Sequence, residues 1–211
     1  MTSLSVTTPL RRSFPVSGST ADITAIVLAA GFSRRAAPYH KLLFPSPDGS
    51  GRTVVRATVE AMCGVGCGEV IVVTGHERER IEAALAGLPI QCVFAPDFSG
   101  GMGHSLAAGV RAAPARARGF AVTPGDLPEL TGKVARSVVE RFTSGHCEHH
   151  VIPLAAGARG HPVVIGAWLR SQLELLTGDF GARHLLAGPA ENSRCSFFDV
   201  GDPAILRDVD V

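Results

Sequence analysis

The sequence predicts an α/β fold, a three-layer sandwich around a mostly parallel sheet, and three observations carry that expectation. Short apolar runs begin at Ile26, Glu69, Ile90 and Gly119, and their lengths fit strands packed within a sheet. Helical patterns separate them, giving strand, helix, strand, helix, strand; right-handed crossovers then place helices on both faces of a parallel sheet. The segments that follow the strands carry glycines and charges where such sheets bind ligands, beyond the strands' carboxyl ends.

With 211 residues, 45% hydrophobic and 18% charged, the chain is long enough for one domain with a sizeable core. A net charge of +1 gives no electrostatic case for nucleic acid or a membrane surface, and no apolar run approaches the length of a transmembrane helix. Five cysteines (Cys63, Cys67, Cys92, Cys147, Cys195) without paired spacing point to free thiols in a reducing cytoplasm. Cys63 and Cys67 could share a helix face as small buried thiols. Residues 1–21 are rich in Ser, Thr and Pro, contain Arg11 and Arg12 and precede the first acid, Asp22. The composition overlaps with organellar transit peptides but reads most simply as a disordered leader before a domain over 22–211.

In chain order, the first strand changes at Ala29, Ala30 and Gly31 to small residues that let the backbone approach a ligand. Arg34, Arg35 and Lys41 follow, so the ligand is expected to be anionic, with phosphate on a nucleotide the leading candidate. Lys41 is one of only two lysines among 20 basic residues, which suggests a compact point charge in place of the default guanidinium. After a turn over 48–51, Thr53 can cap a helix through about Val65, with Val54, Val55, Ala57, Thr58, Ala61 and Met62 facing the sheet. The second strand spans Glu69–Thr74. A polar stretch over 77–80 followed by Ile81, Ala84 and Leu85 gives a second amphipathic helix, and residues 90–95 a third strand.

The next loop, 96–106, places glycines at Gly100, Gly101 and Gly103 before Ser105, which opens a helix over 106–113; its backbone could approach a ribose or base. Residues 119–123 form a strand ending at Gly125-Asp126-Leu127-Pro128. There Asp126 suits a hard divalent cation, or a turn carboxylate bonding its own backbone. A helix over 134–142 leads to a tract, 143–150, holding His146, Cys147 and His150, which reads as a solvated loop before a strand over 151–154. His161, between Gly160 and Pro162, could bond a substrate, move a proton or serve the turn alone.

These segments together resemble the MobA-like nucleotidyltransferases, specifically the molybdenum cofactor cytidylyltransferase branch. The signature Leu-Ala-Ala-Gly-x-Ser-x-Arg, then Lys-Leu-Leu, is matched by Leu28, Ala29, Ala30, Gly31, Ser33, Arg35, Lys41, Leu42 and Leu43. Ala36-Ala37 stands where the family has Met-Gly. Gly101, Met102, Ser105 and Leu106 match Gly-Met-x-x-Ser-Leu; Gly125, Asp126, Pro128 and Leu130 match Gly-Asp-x-Pro-x-Leu. Gly160-His161-Pro162 and Gly178-Asp179-Phe180-Gly181-Ala182-Arg183 match two further elements. Asp208 and Asp210 resemble a terminal Asp-x-Asp, although the sequence ends at Val211 without the family's closing helix.

The resemblance covers roughly residues 24–210 and implies a nucleotide-diphospho-sugar transferase-like, Rossmann-like fold. It implies Mg²⁺-dependent transfer of CMP from CTP to molybdopterin, serving molybdenum hydroxylases. In that reading Lys41, Arg35 and Asp126 are catalytic, Asp126 and Asp208 hold Mg²⁺, and His161 and Arg183 meet the acceptor. Leu28, Ala29, Ala30, Gly31, Ser33, Gly101, Ser105 and Gly125 bind the nucleotide. Ala30 favours CTP, because guanylyl-transferring relatives resemble Leu-Ala-Gly-Gly at this turn. Two alternatives stand beside it: an NAD(P)H-dependent oxidoreductase similar to nicotine blue oxidoreductase, although the Gly-x-Gly-x-x-Gly fingerprint is missing after the first strand, and a non-catalytic molybdenum cofactor chaperone.

Overall fold

The computed structural model describes residues 18–33 and 39–209. Of the expected leader, residues 1–17 lie outside them; within the rest, Ser19 caps a 3₁₀ turn over Thr20–Asp22 that leads into the first strand.

Eight strands form one sheet: β1 (Ile23–Ala29), β2 (Glu69–Thr74), β3 (Gln91–Phe94), β4 (Gly119–Pro124), β5 (His150–Ala155), β6 (Ala158–Arg159), β7 (Val163–Gly166) and β8 (Cys195–Asp199). Their order is β3-β2-β1-β4-β7-β5-β6, with β8 also paired to β5. β1 runs parallel to both β2 and β4, β2 parallel to β3, and β5 parallel to β8, while β7 is antiparallel to β4 and β5. The sheet is therefore mostly parallel, as expected, with β7 and the two-residue β6, antiparallel to β5, reversed.

The sequence of β1 explains the layers. Successive side chains point to opposite faces, and apart from Thr24 both sets are apolar. Ile23, Ala25, Val27 and Ala29 enter one core, with Val55, Val59 and Met62 of α1 (Val54–Cys63), Ile81 of α2 (Arg78–Ala84), and Val138, Val139 and Phe142 of α4 (Gly132–Ser144). Ile26 and Ala30 enter the other, with Leu106 and Val110 of α3 (Met102–Ala112), Leu173 of α5 (Arg170–Leu173) and Leu186 of α6 (Arg183–Ala187). Thr53 caps α1 as expected, accepting from the Arg56 amide. β3, by contrast, is an exposed edge strand.

Three sequence expectations are corrected. α3 starts at Met102, before Ser105, so Gly101 is its N-cap and Gly103 lies in its first turn. The cause is tertiary: the Gly103 amide donates to Gly178 O at 2.7 Å, and a Cβ on Gly103 would lie 2.5 Å from Thr177 O. Glycine here admits a neighbouring chain, an approach no local pattern encodes. α1 ends at Cys63, capped by Gly64, so Cys67 falls outside the helix; burial pushes its thiol up to about 12.

The third correction concerns the 143–150 tract. Its end is not solvated: Cys147 is buried and His150 is fully buried as the first residue of β5. The Gly166 amide donates to His150 Nδ1 at 3.1 Å, which leaves Nε2–H to donate to Glu191 Oε2 at 2.9 Å. Glu191, on α7 (Pro189–Asn192), also accepts from Trp168 Nε1 at 3.1 Å. Burial lowers the His150 pKa, which keeps the ring a neutral strut between β5, β7 and α7.

Packing of α3 on the sheet is most restricted at Gly109, where a Cβ would lie 2.8 Å from Ile26 Cγ2 and 2.9 Å from Val73 Cγ2. Both neighbours are fully buried and branched, so neither can yield easily. Gly109→Ala should cost about 1–3 kcal/mol despite its better helix propensity. Urea denaturation with an unchanged slope would show it; an equal or higher midpoint would refute this packing.

Candidate functional site

At the carboxyl ends of β1 and β4 lies an open cavity of about 540 Å³. Leu28 lines it from the end of β1, Ala30, Gly31, Ser33 and Lys41 from the first loop, Gly101 and Ser105 from the start of α3, and Gly125 and Asp126 from the end of β4. The structure thus brings together most of the residues selected for the nucleotide and for catalysis. Ala29 is the exception: it is buried in the core beneath the turn and does not line the cavity. Arg35 lies outside the described residues, as do Arg34, Ala36 and Ala37.

The turn after β1 is shaped from below. Gly31 is exposed, with no atom within 4 Å of where a Cβ would stand. Gly75, at the end of β2, is tightly restricted instead: a Cβ would lie 2.7 Å from Ala30 O and 2.6 Å from Phe98. The His76 amide, next in sequence, donates to Ala30 O at 3.1 Å and fixes the start of the loop.

Sequence reasoning missed His40. This buried ring lies 3.0 Å from Gly31 O through Nε2 and 3.2 Å from Ser33 Oγ through Nδ1. Only a protonated Nε2 can donate to the carbonyl, so Nδ1 accepts from the Ser33 hydroxyl. The His40 ring stacks on His76 at 5.6 Å, and Phe32 packs against His76 and Phe98 at 5.1 and 5.0 Å. His40 therefore holds the loop where Ser33 adopts a positive φ of 48°. Its position next to Lys41 was the one available signal; the partner contacts are tertiary.

Lys41 and Asp126 form the polar centre. Lys41 Nζ lies 2.6 Å from Asp126 Oδ2 and donates to Val209 O at 3.1 Å, while the Val209 amide donates to Asp126 O at 3.0 Å. Asp126 Oδ1 is buried without a hydrogen-bond partner. An unpaired anionic oxygen is costly unless something cationic or protic meets it, so this atom fits a hard divalent cation. Asp208 is exposed and does not line the cavity, although it and Asp126 lie near enough to His161 to favour its cation. Among the described residues, no cluster of three or more metal-ligating side chains occurs.

A second cavity, also about 540 Å³, adjoins the first and shares Leu28, Met102, Pro124 and Asp179 with it. His161 and Arg183, the two candidate acceptor contacts, both line this second cavity, together with Arg159. Burial lowers the His161 pKa against the opposing effects of its contact with Val122 O and the two aspartates. Neither Asp179 nor Arg159 was selected from the sequence; a short strand and a turn bring them here.

The family described as MobA-like NTP transferase domain matches residues 25–195. The chain is 33% identical over 173 residues to nicotine blue oxidoreductase of Paenarthrobacter nicotinovorans, covering 78% of this chain and 81% of that protein. A nucleotidyl transferase from Methanothermobacter thermautotroptrophicus superposes with a TM-score of 0.73 at 28% identity, covering 89% of this chain and 91% of that one. The manganese complex of Rv0371C from Mycobacterium tuberculosis H37Rv superposes with a TM-score of 0.68 at 26% identity, covering 84% and 88%.

His40 gives the site a pH dependence. Burial lowers its folded pKa below the ordinary 6.5, so the unfolded chain binds the extra proton first as pH falls. The stability His40 contributes is whole above pH 6.5 and is lost as pH drops through its lowered folded value. His150 and His161 act with the same sign. Replacing His40 with Gln should therefore reduce, without abolishing, the fall in unfolding free energy on acidification below 6.5. An unchanged pH slope in denaturant titrations would contradict the neutral, loop-holding His40.

Proposed function

The chain belongs to the MobA-like NTP transferase family, and we propose that it is a Mg²⁺-dependent cytidylyltransferase moving CMP from CTP onto molybdopterin. Its family makes it an enzyme of the nucleotidyltransferase type. The acceptor would serve a cytoplasmic molybdenum hydroxylase. Among the described residues no helix is long and apolar enough to cross a membrane. The observation that carries the proposal is the unpaired, buried Asp126 Oδ1 beside Lys41, in a cavity roofed by the small-residue turn.

In this reading Ala30, Gly31, Ser33, Gly101, Ser105 and Gly125 receive the nucleotide, and Ala30 favours cytosine. Asp126 would hold Mg²⁺, with Asp208, exposed and outside the cavity lining, as the candidate second carboxylate; the manganese complex of a relative supports divalent-metal use. When bound, the cation would supply charge neutralisation at the α-phosphate and the leaving pyrophosphate. Lys41 exchanges its contact with Asp126 for a phosphate oxygen, and Arg35 would neutralise the same charge. Backbone N–H groups of residues 30–33 would supply further donors. His161 and Arg183 orient the acceptor so that its phosphate oxygen lies in line with the α-phosphorus. A new P–O bond forms there, the bond to the bridging oxygen breaks, and pyrophosphate leaves with the electron pair. An already ionised acceptor phosphate needs no general base.

A second reading, an NAD(P)H-dependent oxidoreductase, is favoured by the similarity to nicotine blue oxidoreductase across most of its length. It gives Lys41 a pyrophosphate to meet but leaves the unpaired Asp126 Oδ1 without a cation to hold. A thermal-shift panel separates the two. CTP with Mg²⁺ at a hundredfold excess over Kd should stabilise the protein by about 2.7 kcal/mol, with GTP, ATP, NADH and NADPH far less effective. Stabilisation by NADH or NADPH alone would overturn the transferase reading. In a turnover assay with CTP and molybdopterin, Asp126→Ala should lower kcat by at least about 10²-fold while the protein stays folded; an unchanged rate would count decisively against the mechanism.

A further inference from the structure

The sheet ends at β8, and that edge is open. The Val200 amide donates to Leu154 O at 2.9 Å and the His150 amide donates to Arg194 O at 2.9 Å, so the even-numbered residues of this segment turn their backbone groups toward β5. Backbone groups alternate along a strand, which leaves the N–H and C=O of Cys195, Phe197 and Asp199 facing away from β5. Among the described residues none of these groups bonds to backbone elsewhere, and β8 pairs with no strand but β5. Edge strands are commonly blunted by proline, a bulge or a lysine. The middle of β8, Ser196-Phe197-Phe198, has neither proline nor lysine, and its register on β5 is unbroken.

The side chains at this edge are unusual too. Phe197 is 44% exposed, on the same sheet face as Ile152, its register partner and a wall of the second cavity. Arg159 also lines that cavity; its guanidinium lies 5.0 Å from the Phe197 ring and near enough to Cys195 to favour the thiolate. It pairs with no carboxylate among the described residues.

We infer that β8 is the interface of a two-fold dimer: a second copy adds its own β8 antiparallel across Phe197, so that the partner's Asp199 stands beside Arg159 at the rim of the second cavity. The strand is complementary to itself in this register. With the axis at Phe197, each Phe197 N–H meets the C=O of its counterpart, and Cys195 exchanges the same bonds with the partner's Asp199. Every outward backbone group of the edge is then paired. The two Phe197 rings lie side by side and cover each other's exposed faces. Opposite Cys195, the partner's Asp199 supplies the carboxylate that Arg159 lacks. Asp199 Oδ1 accepts from the Gly201 amide at 2.9 Å, which leaves the other oxygen for the guanidinium. A slip by two residues would separate the rings and strand backbone groups at both ends. The inference holds whichever ligand the second cavity takes.

A strand-to-strand contact of this length lies at the small end of protein interfaces, so sedimentation velocity of the full chain should show a reversible dimer with Kd on the order of 10 µM. Phe197→Pro removes the N–H at the axis. That N–H faces away from β5, so the β5 ladder stays whole and the dilute variant should melt with the parent. Its dimer should weaken by about a hundredfold, because the change is felt twice in a symmetric pair. Arg159→Asp and Asp199→Arg should each weaken it by about tenfold, and combining them should recover most of the loss. A chain that stays monomeric at about 200 µM, far above that Kd, or a dimer that Phe197→Pro leaves intact, would overturn the inference. A dimer lost in Phe197→Pro but unmoved by either charge reversal would overturn the placing of the partner's Asp199 at Arg159.

Discussion

The site depends on one contact, the ion pair between Lys41 and Asp126 at 2.6 Å. It joins parts of the chain that are far apart in sequence: the loop after β1, the mouth of β4 and the segment ending at Val209, whose backbone bonds both Lys41 Nζ and Asp126 O. Taking two charges this far from water is unfavourable unless each is well partnered, and Asp126 Oδ1 is not. The pair is thus a closed arrangement with one position left over, which a cation and a polyphosphate could complete together. A lysine that must leave a carboxylate to meet a phosphate also couples the two ligands, since each lowers the cost of accommodating the other.

Everything around that pair serves to hold its two carriers in register. β1 and β4 are adjacent and parallel, and their apolar residues face two separate cores, so a one-residue slip of either strand would put side chains fitted to one core into the other. Above the strands lies the loop that carries Lys41. It is steadied by His40 from within and by the His76 amide from β2's end. The far wall is positioned by the tight approach of residues 177–179 to the start of α3, which only glycine at 101 and 103 permits. The two cavities meet along Leu28, Met102, Pro124 and Asp179.

Much of this was legible in the sequence where a local pattern reports directly on a local structure. Strand β2 has the expected bounds and Thr53 caps the expected helix, because apolar run length and capping chemistry act within a few residues. The small-residue turn, Lys41 and Asp126 could be chosen because each follows a strand in a sheet whose ligands sit at that end. What remained hidden was made by contacts across long sequence separations. The start of α3 is set by residues 177–179 and the burial of His150 by Glu191 and the Gly166 amide, whereas His40 acts at shorter range, on the Gly31 carbonyl and the Ser33 hydroxyl. Ala29 misled for a simpler reason: alternation along β1 turns it away from the cavity and into the core beneath.

The proposed cation site at Asp126 would be completed by nucleotide. Mn²⁺ binding followed by electron paramagnetic resonance, with and without CTP, tests it most directly. Weak binding to the free protein, marked tightening when CTP is present, and loss of that ternary signal in Asp126→Asn are the results expected. Mn²⁺ bound equally well without CTP, or an Asp126→Asn protein that retains the ternary signal, would contradict it.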